Sequence, residues 1–346
     1  MDLIPVLEKL SEVGGPSGFE RPVVEVAAAL LRPYMEETYI DRFGNLVGIR
    51  RCGKPGAKAL LLDAHLDEVG LIVTGVEKGF LRFRSIGGVD PRILPDRRVQ
   101  ILTKPIIQGV IACLPPHLQK ESDQNTATPI EELWIDAGLS QEEAHKRIPV
   151  GTPVVYGAAF TSLQNGHVAG KAMDDRACFT TLLFVAEALQ DKDLDVDLYI
   201  MGSTREEVNG SGAAVGTFAL KPDCAIAVDV THGRTPDGSK DETFLLGKGP
   251  VIGIGPNMTR WMADRLVKKA EELGYAWQPE VMTGHSGTNA WRMQIARDGV
   301  ATAVLSIPLK YMHTPFEVIQ IADIEATGKL LAAFVEGFSG EGRCMA

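Results

Sequence analysis

The residue pair with the clearest chemical potential is Glu206 and Glu207, two adjacent acids that follow the apolar run Asp197–Gly202. The run predicts a buried strand, and the Gly-rich segment after the acids predicts a turn. An unpaired buried carboxylate is strongly disfavoured, so these acids require compensation, which a metal ion would provide. Because neighbouring side chains of extended chain point to opposite sides, one Glu can bind metal while the other acts as a base on water. The alternative is a solvated strand end with two ordinary surface acids.

Other acids and imidazoles stand at the ends of further predicted elements. In chain order they are His65, Asp67, Asp174, Asp175, Asp229 and His313. Ligand sets that mix histidine with carboxylates suit Zn²⁺, Co²⁺ or Mn²⁺. Two metal ions about 3.5–4 Å apart would also need a carboxylate that bridges them.

The elements that would position these residues alternate between strands and helices. Apolar runs predict four buried strands, at 58–64, 197–202, 224–229 and 300–306. Helical periodicity predicts helices at 174–190, 210–220, 258–273 and 321–338. This alternation predicts an α/β fold with a mostly parallel sheet flanked by helices, and sites in such sheets gather at the carboxyl ends of the strands.

Between about residues 71 and 160 the pattern changes to short alternating segments separated by Gly and Pro. This rhythm predicts a small β-barrel or sandwich, interrupted by one polar helix at 129–147. We interpret 71–160 as a β-rich domain inserted into a catalytic domain that is made of 1–70 and 161–346.

Composition narrows the classes of partner. The 346 residues are 45% hydrophobic and 23% charged, as in an ordinary soluble globular protein. The net charge of -10 argues against nucleic acid and anionic membranes as partners, and no apolar run is long enough to span a bilayer. The first residues do not resemble a signal peptide. The cysteines show no CxxC spacing and predict reduced thiols in the cytoplasm; they are Cys52, Cys113, Cys178, Cys224 and Cys344.

Five segments, in order, resemble the motifs of the tetrahedral metalloaminopeptidases, a cytoplasmic family of the dinuclear zinc-peptidase clan related to glutamyl aminopeptidases. They are AHLDEVG at 64–70, KAMDDR at 171–176, EEV at 206–208, VDV at 228–230 and YMHTP at 311–315. The segment GPSGFE at 15–20 fits the family too. The resemblance therefore covers nearly the whole chain.

The resemblance implies two divalent metal ions per subunit, Zn²⁺ first and Co²⁺ or Mn²⁺ as alternatives. The implied ligands are His65, Asp174, Glu207, Asp229 and His313. Asp174 would bridge the two ions, and the peptide bond between Asp174 and Asp175 would be cis. The adjacent Asp175 stays an alternative to Asp174 as the bridging residue. Glu206 would be the general base and acid, and Asp67 would orient His65 through its other ring nitrogen.

The activity implied by the resemblance is that of a metal-dependent aminopeptidase that removes amino-terminal residues from short peptides. The implied assembly is a homo-oligomer in which the inserted domains form dimers and six dimers form a dodecamer. An N-acyl amino acid deacylase or a carboxypeptidase on the same metal core is the main alternative. A glycoside hydrolase would use the paired carboxylates but would give no role to His65 and His313. A non-catalytic assembly protein would not need the complete set of metal ligands.

Two residues depart from the family's pattern. Asn289 stands where an acid that helps to shape the substrate site is common, so we expect an effect on specificity more than on catalysis. Arg205 precedes the acid pair at a position that is usually uncharged. We expect it to pair with Glu206, and contact with an acidic substrate side chain is the alternative.

Overall fold

The computed structural model describes residues 1–118 and 126–339. Its strands are β1 (Glu37–Ile40), β2 (Leu46–Arg50), β3 (Lys58–His65), β4 (Gly70–Glu77), β5 (Phe80–Ile86), β6 (Arg98–Ile101), β7 (Ile107–Ala112), β8 (Trp134–Asp136), β9 (Pro153–Tyr156), β10 (Thr161–Ser162), β11 (His167–Gly170), β12 (Val196–Ser203), β13 (Cys224–His232), β14 (Val251–Ile254), β15 (Gln278–Val281), β16 (Ala301–Leu309) and β17 (Glu317–Gln320). Its α-helices are α1 (Leu3–Glu12), α2 (Arg21–Leu31), α3 (Gln141–Arg147), α4 (Met173–Leu189), α5 (Glu206–Asn209), α6 (Ser211–Leu220), α7 (Arg260–Glu272), α8 (Ala290–Met293) and α9 (Ile321–Glu336).

An eight-stranded sheet runs through the larger part of the molecule, in the order β1-β2-β12-β3-β13-β16-β14-β15. Its four central strands, β12, β3, β13 and β16, are mutually parallel. Antiparallel pairs join them to the outer strands on both sides. The predicted α/β class and its largely parallel core are therefore confirmed, whereas the sequence reading missed β14 and β15.

Both faces of this sheet are covered, because successive side chains of each central strand point to opposite sides. Leu60 and Leu62 of β3 belong to a core shared with helices α1, α2, α4, α7 and α9. Leu61, between them, belongs to a second core that includes Ala213 of α6 and Met293 of α8. Strands buried on both faces need continuous apolar runs, which is the pattern that revealed them in the sequence.

A closed six-stranded barrel, ordered β4-β5-β8-β7-β6-β9, follows directly on β3 and has its own hydrophobic core. The predicted barrel-like insertion is thus confirmed in its architecture, and the domain boundaries at 70/71 and 160/161 stay a prediction. The predicted helix at 129–147 is wrong in its first half, since Trp134–Asp136 form a barrel strand. The helix begins only at Gln141, where Ser140 and Glu143 form a capping box.

A third, small sheet joins β10, β11 and β17. It pairs Gly170, just before the first predicted ligand helix, with Glu317, just after the last predicted histidine. The sequence reading did not anticipate this sheet, because its strands have two to four residues and pair across a long sequence separation.

Two further expectations concern the cysteines and the membrane. Cys52, Cys113, Cys178 and Cys224 are free thiols, and Cys344 lies outside the described residues. Among the described helices, none combines the length and the apolar character of a bilayer-spanning segment.

A buried ion network fastens the N-terminal segment to the sheet. The carboxylate of Glu68 accepts hydrogen bonds from Lys171 Nζ at 2.8 and 2.9 Å and from Arg176 Nη2 at 2.9 Å. All three side chains are at most 3% exposed. Arg176 Nη1 also donates to the carbonyl oxygen of Leu10 at 2.7 Å, so the network reaches α1.

Replacing Glu68 by Gln should lower the free energy of unfolding by about 3–5 kcal/mol, because two buried cations lose their counter-ion. Glu25→Gln is the matched control, since Glu25 pairs with Arg21 on the exposed surface, where an ion pair contributes at most about 1 kcal/mol. Urea unfolding at one fixed protein concentration measures both variants. Equal effects of the two substitutions would show that the Glu68 network contributes no more than a surface pair.

Candidate metal centre

The predicted site residues meet at the carboxyl ends of the central parallel strands. His65 is the last residue of β3 and pairs in register with Ser203, the last residue of β12. Glu206 and Glu207 follow Ser203 after two residues and open the short helix α5. Asp229 lies near the end of β13, the neighbour of β3 on its other side.

Close contacts between imidazoles and carboxylates connect these residues. His65 Nε2 lies 3.1 Å from Asp174 Oδ1 and 4.0 Å from Asp229 Oδ1. His313 Nε2 lies 3.1 Å from Glu207 Oε2 and 3.3 Å from Asp174 Oδ2. The five predicted ligands therefore form one cluster, although they come from segments almost 250 residues apart in the sequence.

Asp174 and Asp175 differ in what their oxygens face. Each oxygen of Asp174 faces a different imidazole, one from His65 and one from His313. Asp175 Oδ2 instead accepts a hydrogen bond from the backbone N–H of His65 at 3.1 Å. The peptide bond between the two aspartates is cis, as the resemblance implied. This geometry favours Asp174 as the residue that can reach two metal positions.

Asp67 supports both halves of the cluster. The Nδ1 atom of His65 lies 3.1 Å from the backbone oxygen of Asp67 and 3.5 Å from its Oδ1. The Asp67 carboxylate, which is fully buried, accepts hydrogen bonds from the backbone N–H groups of Glu206 at 3.0 Å and Glu207 at 3.2 Å. Ser17 Oγ donates to it at 2.6 Å. One carboxylate thus links the imidazole of β3 to the turn that carries the acid pair.

Sequence reasoning missed Asn45, which holds the same turn from the other side. Its Oδ1 accepts a hydrogen bond from Thr204 N at 3.0 Å, and its Nδ2 donates to Gly212 O at 3.0 Å. A Cβ atom on Gly212 would lie only 2.2 Å from Thr204 O, so this close approach requires glycine. The contact of Asn45 with the turn that carries the acid pair depends on the packing of β2 against β12.

The barrel side of the molecule also contributes to the cluster. His313 Nδ1 lies 3.0 Å from the carbonyl oxygen of Gly88, in the segment that leaves β5. A Cβ on Gly88 would lie 3.1 Å from the same ring nitrogen, which leaves little room for a larger residue. The contact orients the ring so that its other nitrogen faces the carboxylates.

The pKa shifts record a strongly negative, buried site. Burial raises the pKa of Glu206 to about 8, with Glu207 and Asp67 adding to the rise. Burial also raises the pKa of Asp229 well above its ordinary value. Burial opposes the charge on His313, yet Asp174 and Glu207 raise its pKa to about 11.

These residues fit divalent cations. Within the described part of the chain, the ion pairs of the ligand carboxylates come from His65 and His313, and no Lys or Arg lies within 4.0 Å of them. Among the described residues, Asp175 Oδ1 is buried and has no hydrogen-bond partner. Two groups bring their ligand atoms within 4.8 Å of one another: His65, Asp174 and Glu207, and His65, Asp175 and Asp229. A field that stabilises extra protons on imidazoles attracts metal cations in the same way.

A cavity of about 290 Å³ opens beside the acid pair. Its wall includes Glu206, Glu207, Trp291, Arg292 and His285. The His285 ring packs on Trp291 with 4.2 Å between centroids, and its Nδ1 accepts from Gly287 N at 2.9 Å. We therefore place His285 in the cavity wall, apart from the imidazoles of the cluster.

The structure changes the interpretation of Arg205 and Asn289, the two residues that depart from the family's sequence pattern. The described ion pairs within 4.0 Å include none between Arg205 and Glu206, and the Arg205 guanidinium lies 4.3 Å from the centroid of the Phe43 ring. Asn289 is 2% exposed, and its Nδ2 donates to Asp63 Oδ2 and to Ser203 Oγ, both at 2.8 Å. The side chain is thus a buried connection beneath the strand ends rather than part of an exposed substrate surface.

Comparisons with known proteins agree on one family. The model of the family described as M42 glutamyl aminopeptidase matches residues 44–330. A lysyl aminopeptidase of Pyrococcus furiosus is 35% identical over 340 residues, with 96% of each chain covered. An aminopeptidase structure from Desulfurococcus kamchatkensis superposes with a TM-score of 0.91 at 33% identity, over 98% of this chain and 95% of that one. The TET1 peptidase of Pyrococcus horikoshii, which can assemble into a tetrahedron or an octahedral shell, gives 0.86 at 30% identity, over 97% and 100%.

Replacing Asn289 by Asp should make stability depend more steeply on pH. Burial raises the pKa of Asp63 to about 7, and a second carboxylate 2.8 Å away would hold a shared proton to higher pH. Above the pKa of Asp63 in the wild type, the folded variant would therefore bind more protons than the folded wild type. Its free energy of unfolding should therefore fall further behind wild type, by up to about 1.4 kcal/mol per pH unit.

Urea unfolding at about pH 7 and about pH 9 measures this widening gap. Asn165→Asp, at an exposed position in a short 3-10 helix, is the control and should show no gap that grows with pH. A constant difference between Asn289→Asp and wild type would mean that the two carboxylates do not share a proton.

Proposed function

The chain belongs to the M42 glutamyl aminopeptidase family, and from this premise we propose that it removes amino-terminal residues from short peptides. Membership of this family makes the chain a peptidase, a hydrolase of peptide bonds. The position of Asp174 between His65 and His313 is the observation that carries the proposal, because it allows one carboxylate to serve two metal positions.

We assign the metal ligands as follows. His65 and Asp229 would hold one ion, Glu207 and His313 the other, and Asp174 both. Zn²⁺ is the proposed metal, and Co²⁺ and Mn²⁺ suit the same mixture of imidazole and carboxylate. When bound, two such ions would lower the pKa of a water molecule and polarise the carbonyl group of the scissile bond.

Glu206 is the proposed general base and acid. It would accept a proton from the attacking water and deliver it to the amine that leaves. Asp67 supports this role, because its hydrogen bond to the Glu206 backbone holds the side chain at the edge of the cavity. The raised pKa of Glu206 supports it too, since a base that operates near neutral pH needs a pKa well above that of an ordinary Glu.

Hydrolysis of aminoacyl-p-nitroanilides and short peptides tests the activity. The protein would be stripped with chelator and reloaded with Zn²⁺, Co²⁺ or Mn²⁺. We expect metal-dependent release of single amino-terminal residues and no reaction with N-acetylated substrates. Activity confined to blocked substrates would make the protein a deacylase, and loss of carboxyl-terminal residues would make it a carboxypeptidase.

Replacing Glu206 by Gln should leave the metal content unchanged and lower kcat by about 10²–10⁴-fold, because the amide cannot accept the proton. Glu271→Gln, at an exposed position on α7, is the matched control and should behave as wild type. Steady-state kinetics together with elemental analysis of the purified proteins give both quantities. Near wild-type turnover in Glu206→Gln would remove Glu206 from the mechanism.

We also propose that the barrel forms the dimer interface of a homo-oligomer, with dimers assembling to a dodecamer. The outer surface of this part of the chain exposes several large apolar side chains: Ile106, Val110, Leu114, Leu118 and Val150. Apolar residues exposed on a monomer are often covered in its assembly. Such an assembly would enclose the active sites and admit only short peptides. The free cysteines support a reducing compartment such as the cytoplasm.

Replacing Val150 by Glu should lower the mass of the assembly in solution, because a charge would enter a proposed apolar interface. Val150 is 69% exposed in the single chain. Val281→Glu is the matched control, since Val281 is 74% exposed but lies in β15, away from the barrel. Light scattering coupled to gel filtration measures the mass. An unchanged mass for Val150→Glu with a reduced mass for Val281→Glu would place the interface elsewhere.

A further inference from the structure

Glu317, the first residue of β17, makes two contacts that sequence reasoning did not anticipate. Its Oε1 accepts a hydrogen bond from the backbone N–H of His313 at 2.7 Å. Its Oε2 accepts one from the backbone N–H of Asp174 at 3.1 Å. The residue is only 2% exposed, and it does not belong to either group of candidate metal ligands.

Glu317 is itself held in place by the small sheet. Its backbone pairs with Gly170 of β11, four residues before Asp174. The next residue, Val318, forms a bridge with Lys310 at the start of the loop that carries His313. The carboxylate therefore projects from a fixed point between the two ligand-bearing segments.

Both segments have irregular backbone conformation at the residue that carries the proposed ligand. His313 has φ +62°, in the left-handed region that favours glycine. Asp174 departs from helical φ and ψ at the start of α4. The His313 ring is oriented by Gly88 O, so the contact from Glu317 acts on the position of the backbone rather than on the ring.

The chemistry of the contact requires a carboxylate. Two N–H donors point at one side chain, and a carboxyl group offers an acceptor oxygen to each. A glutamine would keep one acceptor and turn its NH₂ group toward the other N–H. Yet a buried negative charge beside the acidic cluster is costly, and among the described residues Glu317 has no ion pair within 4.0 Å.

We propose that Glu317 is a positioning residue of the metal centre, whose carboxylate sets the spacing of Asp174 and His313 so that their side chains can bind the same cation. The proposal rests on the metal-dependent function proposed above. It assigns to Glu317 no contact with substrate or with the reacting atoms.

Glu317→Gln tests the proposal against a control of the same chemistry, Asp323→Asn. Asp323 is 1% exposed, and its carboxylate also accepts two backbone hydrogen bonds, from Gly247 N at 2.6 Å and Gly249 N at 3.1 Å. None of these residues belongs to the proposed metal centre. A merely structural role for Glu317 should therefore make the two variants behave alike.

The measurements are competition titrations of chelator-treated protein with Zn²⁺ and Co²⁺ against a chromophoric chelator, and the visible absorption spectrum of the Co²⁺-loaded protein. We expect Glu317→Gln to bind the more weakly bound of the two metal ions about 10–100-fold less tightly than wild type does. We also expect the visible absorption spectrum of the Co²⁺-loaded variant to differ from that of wild type. Asp323→Asn should bind as wild type. Urea midpoints of the metal-free proteins should fall in both variants.

Wild-type affinity and spectrum in Glu317→Gln would overturn the positioning role, and so would an equal loss of affinity in Asp323→Asn. If circular dichroism shows that Glu317→Gln is unfolded, Glu317→Asp, which is one methylene too short to reach both N–H groups, is judged by the same criteria. A wild-type protein that binds neither ion would overturn the proposed function and this inference with it. If only the positioning role of Glu317 is wrong, the wild-type protein still binds the metal ions.

Discussion

The structure depends on the confinement of many carboxylates at one buried edge of a parallel sheet. Burying an ionised acid without a partner is strongly unfavourable, so each one needs a donor or a cation. The carboxylates differ in how they obtain it. Glu68 uses the buried cations Lys171 and Arg176, and Asp67 uses backbone and hydroxyl donors. Among the described residues, the ion pairs of the proposed ligand carboxylates are with imidazoles, which is why this part of the site suits metal ions.

The groups that hold the ligands come from distant parts of the chain. Asn45 in a hairpin, Asp67 after β3 and Glu317 at the start of β17 each bind backbone N–H groups of the segments that carry the site. Their side chains are almost completely buried, so their rotamers are restricted by packing. Ligands supported in this way can keep one geometry while a substrate enters and leaves, which is the condition for preorganised catalysis.

The barrel is in direct contact with the candidate metal centre. The chain enters it directly after the loop that contains Asp67 and Glu68, and the segment leaving β5 returns Gly88 to the His313 ring. Side-chain space at this junction is small, since a Cβ on Gly87 would lie 3.2 Å from Glu207 O. A rearrangement of the barrel relative to the sheet would therefore disturb the cluster.

The sequence alone determined the α/β class, the barrel-like insertion and the residues that meet in the cluster. It could do so because a strand buried on both faces needs a continuous apolar run, and most of the acids and imidazoles stand at or shortly after the ends of such runs. The set of proposed ligands came from the resemblance to the family. The segment 129–147 was misread, because the apolar strand within it is short and the cap at Ser140 was overlooked. Only the tertiary structure showed which oxygens of Asp174 face which imidazole, that Asn289 is buried, and that Glu317 contacts the segments that carry Asp174 and His313. These contacts join residues up to 226 positions apart in the sequence. A local pattern of apolar and polar residues does not predict which residues meet across such a separation.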